Sequence, residues 1–270
     1  MINITSPKSH PAHGLFRPLE HHMLIHALFE NNLEAQLFVD SATQSKAGLI
    51  AYKNRLVFGG DPNQNAFNAD LLQYFSETTI PPKKERAFLA TFTSDAWIPT
   101  LQELFKEYEL ILAPRLYFET TPDSKAAPTL PDGFSLHQVT PEFLAGSIRG
   151  METLIEEIHS ERTSVDDFFA KGFGLCPVYE NQIAGWCLSE YNTGDRCEIG
   201  IATLEPHQRR GIATALVSAF LTEAVQRGYH HVGWKCWERN EASVATARKA
   251  GLTLVGREQA LVAIQKQEQE

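Results

Sequence analysis

The strand Glu198-Ile199-Gly200-Ile201-Ala202-Thr203, the loop Gln208-Arg209-Arg210-Gly211-Ile212-Ala213 and the apolar stripe after it constrain the fold more than any other part of the chain. Ile212, Leu216, Phe220 and Ala224 recur every four residues, the period of a helix with one buried face, and Gly228 is a natural stop. A strand that turns through a glycine into a helix leaves the helix's first N–H groups unpaired, at the positive end of its dipole. An anion placed there accepts several N–H bonds at once. Gly211 permits close backbone approach or a positive φ, Ala213 is small, and Arg209 and Arg210 add positive charge. By residue chemistry alone this is an anion site, which a diphosphate, a sulfate or a carboxylate satisfies.

The 270 residues suffice for two domains, and 43% apolar content supports packed cores. The stretch from Thr120 to Gly133, rich in Pro, Ser and Thr and without apolar period, reads as a linker. It divides the chain into an N-terminal α+β domain, 1–129, and a second domain, 130–270. In the first, helices are expected over 19–32, 67–75 and 97–108, and strands over 36–40, 47–52, 55–58, 86–92 and 115–119. In the second, strands are expected over 134–139, 174–179, 183–191, 196–204, 231–237, 252–255 and 260–263. Its helices are expected over 141–159, broken at Gly150, after the caps Ser164 and Asn240, and over 212–227. Both orders contain β-β-β-α-β-α-β, so the first domain is expected to be a degenerate copy of the second. Its corresponding loop, Gly59 to Ala66, has no basic residue and carries Asp61.

Net charge is −9, with 11 Lys and Arg against 14 Asp and Glu in residues 1–129 and 13 against 19 in the rest. Neither half is basic, so no nucleic-acid partner is expected. The four cysteines form no CxxC pair and lie in apolar or strand-like runs, which predicts reduced core thiols. No leader peptide, membrane partner or membrane span is expected, and the localisation expected is cytoplasmic.

Gln208-x-x-Gly211-x-Ala213 between a strand and a long helix resembles motif A of the GNAT N-acetyltransferases, Gln/Arg-x-x-Gly-x-Gly/Ala. The preceding strand has that family's Glu-Ile-x-Ile look, Asn240-x-x-Ser243 resembles its Asn-x-x-Ala/Ser, and Arg248-Lys249-Ala250-Gly251-Leu252 is similar to its Glu-Lys-x-Gly-Phe. The resemblance covers about residues 134 to 264. The whole chain is similar to a GNAT subgroup with an extra N-terminal domain and signatures much like Trp186-Cys187-x-Ser189-Glu190-Tyr191 and Trp234-x-Cys236. The resemblance implies an α+β acyl-CoA acyltransferase fold: a mixed, mostly antiparallel central sheet flanked by helices, with an N-terminal α/β domain. It implies acetyl-CoA as acyl donor, with its diphosphate on the amides of Arg209, Arg210, Gly211, Ile212 and Ala213 beside Gln208. The pantetheine arm is implied along Ile201, Ala202 and Thr203, where two central strands splay at a bulge, with Asn240 and Ser243 nearby.

Acetyl transfer to an amine needs a base near that gap. Glu198 is the first candidate, since a glutamate at nearly this place is the base in the histone-acetylating branch of the family. Glu190 and Tyr191 end the neighbouring strand; they are candidates to face the same cleft, as catalytic or substrate-selecting groups, and a hairpin end facing water is the alternative. The tyrosine that many members use as acid falls at Ala247 here, so that acid is missing. The expected function is transfer of acetyl from acetyl-CoA to a primary amine of a small molecule or peptide, by direct attack in a ternary complex, in a monomer or homodimer. The competing readings are a non-catalytic acetyl-CoA sensor or scaffold and another phosphate binder. His22 and His26 are four apart on an expected helix, but no third ligand of clear spacing follows, so no metal is expected.

Overall fold

A computed structural model describes residues 1–77, 87–123 and 129–266. Arg86 of the expected fifth strand, residues 124–128 of the expected linker and residues 267–270 of the expected frayed tail lie outside them.

In chain order the elements begin with β1 (Ile2–Ile4), a 3-10 stretch (Pro11–Leu19), α1 (Met23–Phe29), β2 (Gln36–Val39), β3 (Ala47–Tyr52) and β4 (Arg55–Gly60). They continue with α2 (Asn65–Glu77), β5 (Ala87–Phe92), α3 (Ile98–Leu104), β6 (Tyr108–Thr120), β7 (Phe134–Gln138), α4 (Pro141–Leu144), α5 (Met151–Glu161) and α6 (Val165–Lys171). Then come β8 (Gly174–Tyr179), β9 (Gln182–Ile183), β10 (Gly185–Thr193), β11 (Arg196–Thr203), α7 (Ile212–Gln226), β12 (His231–Trp237), α8 (Glu241–Lys249) and β13 (Thr253–Gln265).

The chain forms two compact units. The first comprises Met1–Arg115 with Arg257–Glu270, the second Leu116–Gly256. This division differs from the expected one at 129/130 at both ends. Ala260–Ile264 of β13 pair antiparallel with Ala87–Thr91 of β5, which ties the last strand to the first unit. Leu116 and Phe118 of β6 belong to the core of the second.

In the first unit the strands follow the order β1-β2-β3-β4-β5-β13, all antiparallel except β4 with β5. Phe58, Phe67, Phe88, Trp97, Phe105 and Leu261 fill its core. Of the expected helix over 19–32 only Met23–Phe29 is α-helical: Leu19 ends the 3-10 stretch, Glu20 and His21 form a turn, and Asn31 beyond α1 takes a left-handed φ of 64°.

The second unit has the order β6-β12-β11-β10-β8-β7, with β9 on β8; β11 and β12 run parallel, whereas β11 with β10, β10 with β8, β8 with β7 and β8 with β9 are antiparallel. Side chains alternate between two cores. Cys187, Cys197, Ile199 and Trp234 pack with Leu216 and Phe220 of α7 and Ala247 of α8. Trp186 and Leu188 pack on the other face with Leu154 and Ile158 of α5 and Phe168 of α6. This is the expected mixed, mostly antiparallel α+β architecture. Gly150, at φ 83°, is the N-cap of α5, but the expected helix over 141–159 is interrupted earlier, since α4 ends at Leu144; Ser164 and Asn240 cap α6 and α8 as expected. The expected strands at 252–255 and 260–263 are one strand, β13. Among the described residues no helix is long and apolar enough to cross a membrane.

Candidate functional site

The central event in the second unit is a parting of strands. The β11–β12 ladder runs from Arg196↔His231 to Ile199↔Trp234 and stops there, although β11 continues to Thr203 and β12 to Trp237. Arg196 to Ile199 are largely buried, whereas Gly200 to Thr203 are all half-buried. On its other side β11 stays paired to β10 through Gly185↔Thr203. The Leu204 N–H donates to the Ala184 carbonyl at 2.9 Å, so alternate residues Ala202 and Gly200 also turn their polar backbone toward β10. Ile201 and Thr203 therefore direct theirs at the open edge. The register shift recorded at this site lies in the β10–β11 pair, between Glu190 and Thr193. The expected bulge at the splay is thus corrected: the β11–β12 register runs without a shift, and the strands part by divergence.

The open edge leads into the loop. Gln208 donates from Nε2 to the Thr203 carbonyl at 3.0 Å, fastening the loop to the end of β11. Arg209 (φ 59°) and Gly211 (φ 80°) take left-handed conformations in turn. Gly211 is the N-cap of α7, and no side chain caps that helix. No acidic residue occupies its first turn. The N–H groups of Ile212 and Ala213 thus stand at the positive end of a 15-residue helix without a competing side-chain acceptor. A Cβ built on Gly211 meets nothing within 4 Å, so the glycine answers the positive φ rather than crowding within the chain. The Arg210 guanidinium lies over the rings of Phe134 and Tyr179, 4.8 and 5.3 Å from their centroids, which holds it against β7 and β8.

Asn240 and Ser243 are engaged locally. Asn240 Oδ1 accepts from the Ser243 N–H at 3.1 Å, and Ser243 Oγ accepts from Trp234 Nε1 at 3.1 Å. The Asn240 side chain keeps its amide donors, on an exposed residue. Ala247 is fully buried beneath α8, so the helix presents no hydroxyl at that position.

Glu190 and Glu198 face one another across β10 and β11 and are buried, at 7% and 2% exposure. Like charges directly opposite repel, more strongly when desolvated. Lys235 of β12, which alternation places on the same face, supplies the counter-charge. Its Nζ contacts Glu198 Oε1 and lies 3.8 Å from Glu190 Oε2. It also sits 4.4 Å from the centroid of Tyr191, whose φ of 49° at the bulge re-aims that ring. Gly200 completes the arrangement, because a Cβ there would collide with Glu190 Oε1. The Glu190 carboxylate therefore lies over the first residue of the open segment, with Glu198 one alternation further in.

Sequence reading missed Lys235 and Gly200. The signal for Lys235 is the β11–β12 register, which puts Gly233 opposite Glu198 and Lys235 two residues beyond; that for Gly200 is the β10–β11 register, which sets it two residues from the Glu190–Glu198 pair. It also missed a buried polar chain. Arg162 donates to the Ser189 carbonyl at 3.1 Å and contacts Asn192 Oδ1, and Asn192 Nδ2 donates to the Tyr229 hydroxyl at 2.8 Å. Burial raises the Tyr229 pKa. All four cysteines are buried free thiols. Burial pushes Cys176 up to about 12 and holds Cys187 and Cys197 higher than an ordinary thiol.

Residues 13–261 match the family model described as GNAT acetyltransferase. Over 233 residues, 86% of each chain, the sequence is 25% identical to the uncharacterized N-acetyltransferase YdfB of Bacillus subtilis strain 168. The fold is similar to a GCN5-related N-acetyltransferase-like protein from Streptococcus suis 89/1591, with TM-score 0.67 and 16% identity over 89% of this chain and 92% of that one. It is also similar to a tandem GNAT protein from the clavulanic acid biosynthesis pathway, solved without AcCoA, with TM-score 0.59 and 12% identity over 99% of both chains.

Proposed function

The chain belongs to the GNAT acetyltransferase family, acyltransferases that generally use acetyl-CoA, and from that premise we propose that it moves the acetyl group of acetyl-CoA to a primary amine of a small molecule or peptide, with donor and acceptor bound together. The observation that carries this reading is the open edge of β11 at Ile201 and Thr203, running into the uncapped start of α7. An amide-bearing arm fits that edge as an added strand, with Ala202 between its two contact points. A diphosphate fits the N–H groups of Arg209 to Ala213, flanked by Gln208, with the donors of Asn240 and Ser243 on the neighbouring helix. Acetyl-CoA supplies an activated thioester when bound.

The chain's own residues then have separate tasks. Ile201 directs its N–H at the open edge, where it is available to a carbonyl oxygen that gathers negative charge. Glu190, lying over Gly200, takes the proton of the incoming ammonium. Glu198 acts through Lys235, which it holds beside Glu190. Two carboxylates against one ammonium leave the cluster a net negative charge, suited to a cationic acceptor.

The test pairs binding with turnover. Calorimetric titration of acetyl-CoA into wild type is expected to show one site. Ala213→Asp places a carboxylate in the first turn of α7, which suits the helix dipole but opposes a diphosphate. The expected result is a folded, equally stable variant whose acetyl-CoA affinity falls at least about tenfold, the effect of roughly 1.4 kcal/mol. Glu190→Gln is expected to keep that affinity and lose most of kcat for release of CoA thiol with an amine. Equal acetyl-CoA binding by wild type and Ala213→Asp would sink the site assignment. Unchanged kcat in Glu190→Gln would remove Glu190 from its role.

A further inference from the structure

His22 and His26, the pair spaced four apart in sequence, do not meet: His26 Nε2 turns to the Glu20 carbonyl at 2.5 Å. The first unit instead brings His21 and His22 onto one carboxylate. His21 Nε2 lies 2.6 Å from Glu258 Oε1, and His22 Nε2 lies 2.9 Å from Glu258 Oε2. One potential ligand atom from each of the three residues falls within 4.8 Å of the others. The histidines sit in the turn between the 3-10 stretch and α1, and Glu258 lies on β13, 236 residues from His22.

From this convergence we propose that His21, His22 and Glu258 form a binding site for a divalent transition metal of the zinc type. Consecutive residues rarely aim both rings at one point. Here the extended backbone of His22 (φ −84°, ψ 111°), which is the N-cap of α1, lets both Nε2 atoms do so. The side chains are largely buried, His22 at 9% exposure, His21 at 17% and Glu258 at 18%. Two imidazoles and one carboxylate are a ligand set that Zn²⁺ and Fe²⁺ accept, with positions left open. Glu258 also borders a cavity of about 240 Å³ lined by Leu19, Phe92, Thr93, Asp95 and Arg257, which reaches the carboxylate but neither histidine. A bound metal would displace the Nε2 protons and clip the turn before α1 to β13. The site belongs to the first unit and does not rest on acetyl transfer.

The experiment uses the tag-free full chain after chelator treatment. Zn²⁺ and Co²⁺ are titrated separately, with Mg²⁺ as control and acetyl-CoA binding recorded in parallel. Wild type is expected to take up one equivalent of either transition metal, to show Co²⁺ visible absorption that Zn²⁺ bleaches, and to ignore Mg²⁺. Glu258→Gln and His22→Gln are expected to lose at least about 100-fold in Zn²⁺ affinity, the upper end of what losing even an outer partner costs, with acetyl-CoA binding intact. Absence of saturable uptake or of Co²⁺ absorption in wild type overturns the site, whatever the variants do. So does binding by Glu258→Gln or His22→Gln that matches wild type. The wild-type spectrum decides the matter if either variant fails to fold.

Discussion

Both units contain a strand, a helix and a parallel strand, β4-α2-β5 in the first and β11-α7-β12 in the second, yet they differ at the turn where the proposed anion cradle of the second lies. Each parallel ladder has four pairs, Arg55–Phe58 with Leu89–Phe92 and Arg196–Ile199 with His231–Trp234. Beyond its ladder β4 has two glycines, and both are occupied. The ring of Phe16 lies where a Cβ on Gly59 would go, and the Gly60 carbonyl accepts from Trp97 Nε1 at 3.1 Å. The following loop supplies its own anion. The Asp61 carboxylate accepts from the Asn63 N–H at 2.9 Å, Asn63 Nδ2 at 3.0 Å and Gln64 Nε2 at 2.6 Å. Those bonds, the Asn63 backbone first, hold its pKa below the usual carboxylate range. Beyond its ladder β11 instead has four half-buried residues, then Gly211 and a helix start with no acid. One carboxylate and two aromatic rings separate this closed structural turn from the proposed anion site. On the shared strand-helix-strand order we propose that the first unit is a degenerate copy of the second.

The third ladder pair sharpens the contrast most. It is Val57–Thr91 in the first unit and Glu198–Gly233 in the second, where Lys235 lies two residues on. Lys235→Met would leave two buried carboxylates facing each other. Breaking a buried pair in this way costs about 3–5 kcal/mol. A lower denaturation midpoint, largely restored by adding Glu198→Gln, is the expected result for the full chain. An unchanged midpoint would mean that Lys235 does not hold the cluster. Next come the two loop glycines, both left-handed, Gly60 at φ 83° and Gly211 at φ 80°. A Cβ on Gly60 would collide with the Lys46 carbonyl, whereas one on Gly211 meets nothing. Gly211→Ala should cost only the left-handed penalty, about 1–2 kcal/mol, and Gly60→Ala distinctly more. Only Gly211→Ala should also weaken acetyl-CoA binding. Equal thermal shifts, or weakened binding in Gly60→Ala, would break the comparison.

What the sequence disclosed follows from range. The strand, glycine loop and α7 lie within one continuous segment, so periodicity and helix-end chemistry suffice to read them. Glu190 and Glu198 are placed on one face by alternation within two neighbouring strands. Lys235 needs the β11–β12 register, which no local pattern encodes. The division into units turns on β13 pairing with β5, a contact between residues more than 160 positions apart. Gly256 and Arg257 look like an interruption in sequence, yet β13 runs through them. The convergence of His21 and His22 on Glu258 is hidden for the same reason. The early start of β6, at Tyr108, was masked by Pro114, a residue that otherwise argues against a strand interior.

The smallest expected effect uses an asymmetry visible in composition. All four cysteines, at 176, 187, 197 and 236, belong to the second unit, and the first has none. Burial raises the Cys176 thiol from 9.0 to about 12, so the folded unit keeps a proton that the unfolded chain gives up. The folded state binds more protons between those values, so stability falls as pH rises through them. The contribution is whole below about pH 9 and is lost progressively as pH approaches 12. At pH 8 the native protein should therefore resist a thiol-specific reagent, and labelling should report opening of the second unit alone. Denaturation followed by labelling should track the loss of acetyl-CoA binding and not the loss of metal from the first unit. Rapid labelling of native Cys176 at pH 8 would show that the core under β8 is open to solvent, and the burial that distinguishes this unit would have to be redrawn.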